Sequence, residues 1–234
     1  MFTKTGTTIV GVKYKYGVVL AADTRSTNGD IVVNKHCNKI HYISDNIYTC
    51  GAGTAADIDR ISIYTSKKMN IFEKEYNRIP RVAFAANTAS LELFRYMGYK
   101  SAALLMGGID DLGVHLITVN PHGSTFPAEY NAQGSGSLAA IGILEAGYKE
   151  NMEESEAVKL AVEAIKAGIL NDLYSGTEVN MKIIKQDNKK GYKIEDTKFP
   201  VSVREDKDIK KFKYPLTSIK ITKSEVINMI KESE

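Results

Sequence analysis

Long apolar runs, paired histidines and a strong charge of either sign are all missing from this chain of 234 residues. No stretch approaches the roughly 18 apolar residues that a bilayer crossing needs, and residues 1–6 are too short and too polar for a secretory signal. The expectation is a protein of the cytoplasm and nucleus without membrane contact. A net charge of +3, with acidic and basic residues interleaved, argues against a nucleic-acid partner. The two cysteines, Cys37 and Cys50, form neither a disulfide framework nor a Cys-x-x-Cys site. His36, His41, His115 and His122 are scattered without ligand spacing, which argues against a catalytic zinc, and no cofactor is expected. Also absent are the Gly-x-Ser-x-Gly elbow, internal repeats and low-complexity tracts.

What is present is enough apolar content, 43%, to bury the core of one large domain. Residues 8–12 and 18–22 alternate as a β-hairpin about a turn at 14–17, which puts Thr7 at the start of the first strand. Further strands are expected at 31–33, 39–43 and 47–50. Thr54 followed by Asp57 reads as a capping box, after which Ile58, Ile61, Met69, Phe72 and Tyr76 make the stripe of a long amphipathic helix. Pro80 suits the first turn of a second helix with the stripe Val82, Ala86, Ala89, Leu93 and Met97, stopped at Gly98. Strands at 102–106 and 113–119 flank a hairpin turn. Residues 138–144 are apolar on nearly every side and read as a helix buried between layers. Glu153 and its neighbours cap another helix, with Val158, Val162, Ile165 and Ile169 inward, before strands at 179–184 and 192–194. Strands, two helices, strands, two helices and strands is an order that fits neither a parallel α/β fold nor an all-β one. The expected division is a short leader at 1–6, a main domain at 7–195 and a Lys-rich C-terminal arm at 196–234.

The stretch from Thr7 to Lys39 carries the chemistry. An aliphatic hydroxyl attacks a carbonyl only with help from a base, and no histidine is paired with a serine or cysteine here. A free α-amine, with an ordinary pKa of about 7.7 to 8.0, is the other available base. On an N-terminal threonine, nucleophile and base share one residue. Cutting the Gly6-Thr7 bond makes Thr7 such a residue, Lys39 favours its ionised hydroxyl by charge, and Asp23 holds Lys39. An oxyanion also needs backbone N–H donors, and Gly53 at a strand-to-helix junction offers one.

Taken singly these features are ordinary: Thr-Thr suits any strand, and Asp23 with Lys39 suits any ion pair. Gly51-x-Gly53-x-x-Ala56 and Gly134-x-Gly136-x-x-Ala139 also look like dinucleotide fingerprints. That reading requires a strand soon after the first helix. Here two helices intervene in each case, so it fails on topology.

Six motifs in order make the combination specific: Gly-Thr-Thr-Ile-Val-Gly at 6–11, Leu-Ala-Ala-Asp-Thr-Arg at 20–25, Asn-Lys-Ile-His at 38–41, Cys-Gly-Ala-Gly-Thr-Ala-Ala-Asp at 50–57, Gly-Ser-Gly-Ser at 134–137, and Gly-Ile-Leu-Asn-Asp at 168–172 with Ser175-Gly176. Over about residues 5–220 the chain resembles the β subunits of the eukaryotic 20S proteasome, most of all the β2 type with trypsin-like activity. The resemblance implies an α+β fold, a four-layer αββα sandwich of the N-terminal-nucleophile hydrolase type with a C-terminal extension. It implies a threonine endopeptidase that cleaves unfolded polypeptide after basic residues, inside a 28-subunit barrel of α and β subunits fed by regulatory caps. By resemblance Thr7 is the nucleophile, Asp23 and Lys39 its supporting pair and Gly53 the oxyanion donor; Ser135, Asp172 and Ser175 form a further polar shell. The same likeness lines the pocket for the substrate side chain with Ser26, Cys37, His41, Gly51, Ala55 and Asp59, the last standing where this type more often has Glu. The leader is short beside most propeptides of the family, and the arm resembles an extension that wraps a neighbouring β3 subunit. A non-catalytic structural β subunit with its leader uncut is the alternative within the family, and the bacterial two-component protease is a related one.

Overall fold

A computed structural model describes residues 5–187 and 191–201. Two five-stranded antiparallel sheets lie face to face. The first has the order β10-β1-β2-β11-β12, from Tyr130–Gln133, Ile9–Tyr14, Gly17–Asp23, Glu178–Lys185 and Lys193–Pro200. The second has the order β5-β6-β7-β8-β9, from Ile40–Ser44, Ile47–Gly53, Ala102–Asp110, Gly113–Val119 and Thr125–Pro127. A separate hairpin pairs β3 (Ser26–Asn28) with β4 (Ile31–Asn34).

The strand period of two sorts side chains between the layers. From β1 and β2, Val10, Val12, Val19 and Ala21 face α3 (Ser137–Gly147) and α4 (Glu154–Asn171), while Ile9, Val18, Leu20 and Ala22 face the other sheet. The outer face of the second sheet packs on α1 (Ala55–Tyr76) and α2 (Val82–Arg95) through Ile58, Ile61, Met69, Ala86, Ala89 and Leu93. Three apolar layers between four structural ones make the αββα sandwich, as the motif resemblance implied.

Several local expectations are corrected. β12 continues through Asp196 to Pro200, so the domain runs past residue 195. An eight-residue pairing with β11 holds that edge in place, and the rest of the expected arm, 202–234, lies outside the described residues. The helix at 138–144 is not buried between layers: only Ala140 and Leu144 of α3 are buried, and Leu138 is 85% exposed on the outer layer. Thr54 makes no side-chain cap on α1; Asp57 instead accepts from the Ser101 N–H, tying the helix start to β7. The second helix ends at Arg95, and Met97 leaves its stripe with a left-handed backbone and an exposed side chain. α4 does open with the expected cap, as Glu153 and Glu156 form a reciprocal box. Strands β3, β9 and β10 were not anticipated; they are short and none is wholly buried.

Candidate active site

The β1–β2 register sets Ile9 opposite Ala22, and the next pair brings Asp23 beside Thr8, where the Asp23 N–H donates to the Thr8 carbonyl at 3.1 Å. The Asp23 side chain is fully buried at this strand end and accepts four hydrogen bonds. Oδ1 takes the Thr8 N–H at 2.9 Å and Lys39 Nζ at 2.8 Å; Oδ2 takes the Arg25 N–H at 3.2 Å and the Gly176 N–H at 3.0 Å. A buried charge is tolerated only when paired and hydrogen-bonded, and both conditions are met.

Lys39 is buried too, and its ammonium uses all three protons. Besides Asp23 it donates to Thr7 Oγ1 at 3.1 Å and to the Gly6 carbonyl oxygen at 3.1 Å. The Thr7 hydroxyl donates to that same carbonyl at 2.8 Å. One ammonium thus polarises both a hydroxyl and the carbonyl of the peptide bond preceding it.

On the other side of Thr7, Ser135 Oγ accepts from the Thr7 nitrogen at 3.0 Å and donates to Asp172 Oδ2 at 2.6 Å. Ser175 Oγ donates to the same oxygen at 2.6 Å, so at its 2.8 Å contact with Thr8 Oγ1 the threonine is the donor. A relay therefore runs from Asp23 through Thr8 and Ser175 to Asp172. Thr8 was missed in the sequence because a buried threonine on a strand carries no distinguishing pattern.

Glycine clears the space around Thr7. A side chain on Gly6 would enter Tyr174, and one on Gly134, at φ +97°, would meet the Thr7 carbonyl oxygen at 2.0 Å. Gly136, whose N–H donates to that oxygen at 3.3 Å, has no room either, because a β-carbon there would lie 2.1 Å from Thr8 Oγ1. The Gly-Ser-Gly run is thus a sleeve around the Thr7–Thr8 backbone.

Thr7, Lys39, Gly53 and Ser135 open into a cavity of about 930 Å³, and Ser26, Cys37, His41, Gly51, Ala55 and Asp59 line it as well. Asp23, Asp172 and Ser175 stand behind it. Gly53 has φ +131° at the end of β6, and a β-carbon there would strike the Ser101 carbonyl. His41 Nδ1 lies 3.5 Å from Asp59 Oδ1; burial holds the imidazole below its ordinary pKa, partly offset by the Asp59 charge. Cys50 is buried, with its thiol pushed up by the loss of solvent, which leaves it inert. Arg25, Tyr174 and Pro121 also line the cavity, and nothing in the sequence singles them out as lining residues.

Comparison with known proteins adds a second line of observation. Residues 3–184 match the family model described as proteasome subunit. The chain is similar to a probable proteasome subunit beta type-2 of Encephalitozoon cuniculi, 46% identical over 99% of this chain and 100% of that one. It is similar to proteasome subunit beta type-7 of Dictyostelium discoideum, 52% identical over 78% of this chain and 69% of the relative. It is 42% identical to proteasome subunit beta type-2 of Saccharomyces cerevisiae, over 97% and 86% of the two chains.

Proposed function

The chain belongs to the proteasome subunit family, as a β subunit that assembles with other proteasome subunits, and we propose that it is a threonine endopeptidase of the 20S core with Thr7 as nucleophile. The observation that carries this reading is the 3.1 Å contact between Lys39 Nζ and Thr7 Oγ1, from an ammonium anchored on buried Asp23. A structural subunit would need the ion pair for its backbone hydrogen bonds but not its contact with a threonine hydroxyl at the mouth of a cavity.

Removal of residues 1–6 exposes the Thr7 amine. The amine takes the proton as Oγ1 attacks the substrate carbonyl carbon, Lys39 stabilises the ionising oxygen, and the Gly53 N–H receives the oxyanion. Collapse breaks the C–N bond, the leaving nitrogen takes the proton, and an ester remains on Thr7. Water, deprotonated by the amine, then splits the ester and restores the site. Ser135 orients the amine, with Asp172 and Ser175 fixing Ser135. The Gly6-Thr7 bond itself lies within reach of the same groups, since Lys39 and the Thr7 hydroxyl both bond the Gly6 carbonyl.

The substrate is unfolded polypeptide, cut preferentially after basic residues that extend toward Asp59 along the wall formed by Ser26, Cys37, His41, Gly51 and Ala55. With Asp in place of the longer Glu, water bridges part of that contact. The setting is a 28-subunit barrel in cytoplasm and nucleus, loaded through regulatory caps, with the C-terminal arm on a neighbouring β3 subunit.

Purified particles carrying Thr7→Ala test the reading. Hydrolysis of an Arg-ended fluorogenic peptide falls about a hundredfold or more while Leu-ended hydrolysis by other subunits persists. Unchanged Arg-ended hydrolysis, together with a wild-type chain that sequences from Met1, would assign the structural role instead.

A further inference from the structure

His41 and Asp59 line both the Thr7 cavity and an adjoining cavity of about 540 Å³, so together they form part of the wall between the two. His41 projects from β5 and Asp59 from the first turns of α1, and Nδ1 stands 3.5 Å from Oδ1. That separation is at the outer limit of a hydrogen bond for a neutral ring, but within range of an ion pair once the ring is charged. The carboxylate is largely exposed while the imidazole is mostly covered, so Asp59 is open to an incoming cation and His41 watches it from inside.

Among the described residues, the other ionisable groups on these cavities leave Asp59 as the one acid facing His41. Lys67 comes from α1, Tyr42 follows on β5 and donates to Asp45, and Lys39 is committed to Asp23. Arg25, Cys37 and Tyr174 lie on the Thr7 side, and the residue opposite His41 on β6 is the uncharged Thr49.

We propose that His41 is a specificity residue operated by its proton. Neutral, it leaves the Asp59 carboxylate to the basic side chain of the substrate; protonated, it pairs with Asp59 and repels that side chain, so the preference for basic residues is lost on acidification. The proposal rests on Asp59 being the acceptor of the basic side chain. Burial keeps His41 neutral through the neutral range, so the preference is full there and declines only as the pH drops below the ordinary histidine range. A bound arginine disfavours the ring proton further, which couples substrate binding to proton release.

Electrophilic peptides ending in arginine or in citrulline, its uncharged isostere, provide the test, applied to intact particles and read as the rate of adduct formation on this chain by mass. The ratio of the two rates cancels the titration of the Thr7 amine, which both reactions need. In the wild type the ratio is well above one at pH 7.5 and falls about threefold or more by pH 5.0. In His41→Gln it stays constant across that range, and in Asp59→Asn it is low at every pH. A high wild-type ratio that does not move, or an equal fall in His41→Gln, overturns the switch while leaving the basic preference standing; the wild-type profile decides alone if His41→Gln does not assemble. A wild-type ratio near one at pH 7.5 that Asp59→Asn leaves unaltered overturns the basic preference itself, and the switch with it.

Discussion

Asp23 and Lys39 illustrate how much chemistry a single strand end can concentrate. Each Asp23 oxygen accepts two donors, so Asp23→Asn turns one oxygen into an N–H group facing two others and leaves Lys39 without its counter-charge. Breaking one partner of a buried pair costs about 3 to 5 kcal/mol. Lys39→Ala is the cleaner probe, because it removes the contact with Thr7 Oγ1 while Asp23 keeps three backbone donors. Particles with Lys39→Ala in the chain are expected to lose about a thousandfold or more of Arg-ended peptide hydrolysis, with incorporation checked by mass spectrometry. Retention of a tenth of the activity would show that the ammonium is not part of the reaction.

At the scale of elements, α4 presses on Thr8, the residue next to Thr7. A β-carbon on Gly168 would lie 2.4 Å from Thr8 Cγ2 and 2.6 Å from Thr8 Oγ1. Alanine improves helix propensity by roughly 1 kcal/mol, while overpacking costs about 1 to 3 kcal/mol, so the clash wins. Gly168→Ala is expected to lower kcat about tenfold through displacement of Thr8 and Thr7, with KM little changed. Gly142→Ala on α3, where nothing lies within 4 Å, is the control and keeps full activity. Equal behaviour of the two variants would contradict the close packing of α4 on this strand. The same elements show what the sequence reveals and what it conceals. The β1–β2 hairpin and the α4 cap are legible because alternation and a Glu box act over neighbouring residues. Residues 138–144 mislead because apolarity does not say which side faces water, and Leu138 points away from the Ala140–Leu144 contact line into solvent. Thr7, Asp23 and Lys39 can be nominated from reactivity alone, since a masked amine, an ammonium and a carboxylate answer a chemical need. Ser135, Asp172 and Ser175 cannot; serine and aspartate in loops are commonplace, and only the fold brings residues 128 and 167 positions apart onto Thr7 and Thr8.

At the scale of the whole molecule, the two five-stranded sheets and four helices of the described residues hold a cavity open at the strand ends where Thr7, Lys39 and Gly53 meet. Thr7 lies two residues before β1 of the first sheet and the cavity wall comes from β5, β6 and α1 of the other half, so the site depends on the sandwich being assembled. Exposed apolar side chains at Ile31, Val33, Leu138 and Leu173 suit a subunit that meets others, as membership of this family requires. The central claim is that Thr7, freed of residues 1–6, is the nucleophile. Mass analysis of this chain from purified particles, before and after treatment with an electrophilic peptide ending in arginine, tests processing and reactivity together. The account predicts a chain beginning at Thr7 that gains one adduct, mapped to that residue. A chain that still begins at Met1 and takes no label, or an adduct on Cys37 in place of Thr7, would contradict it.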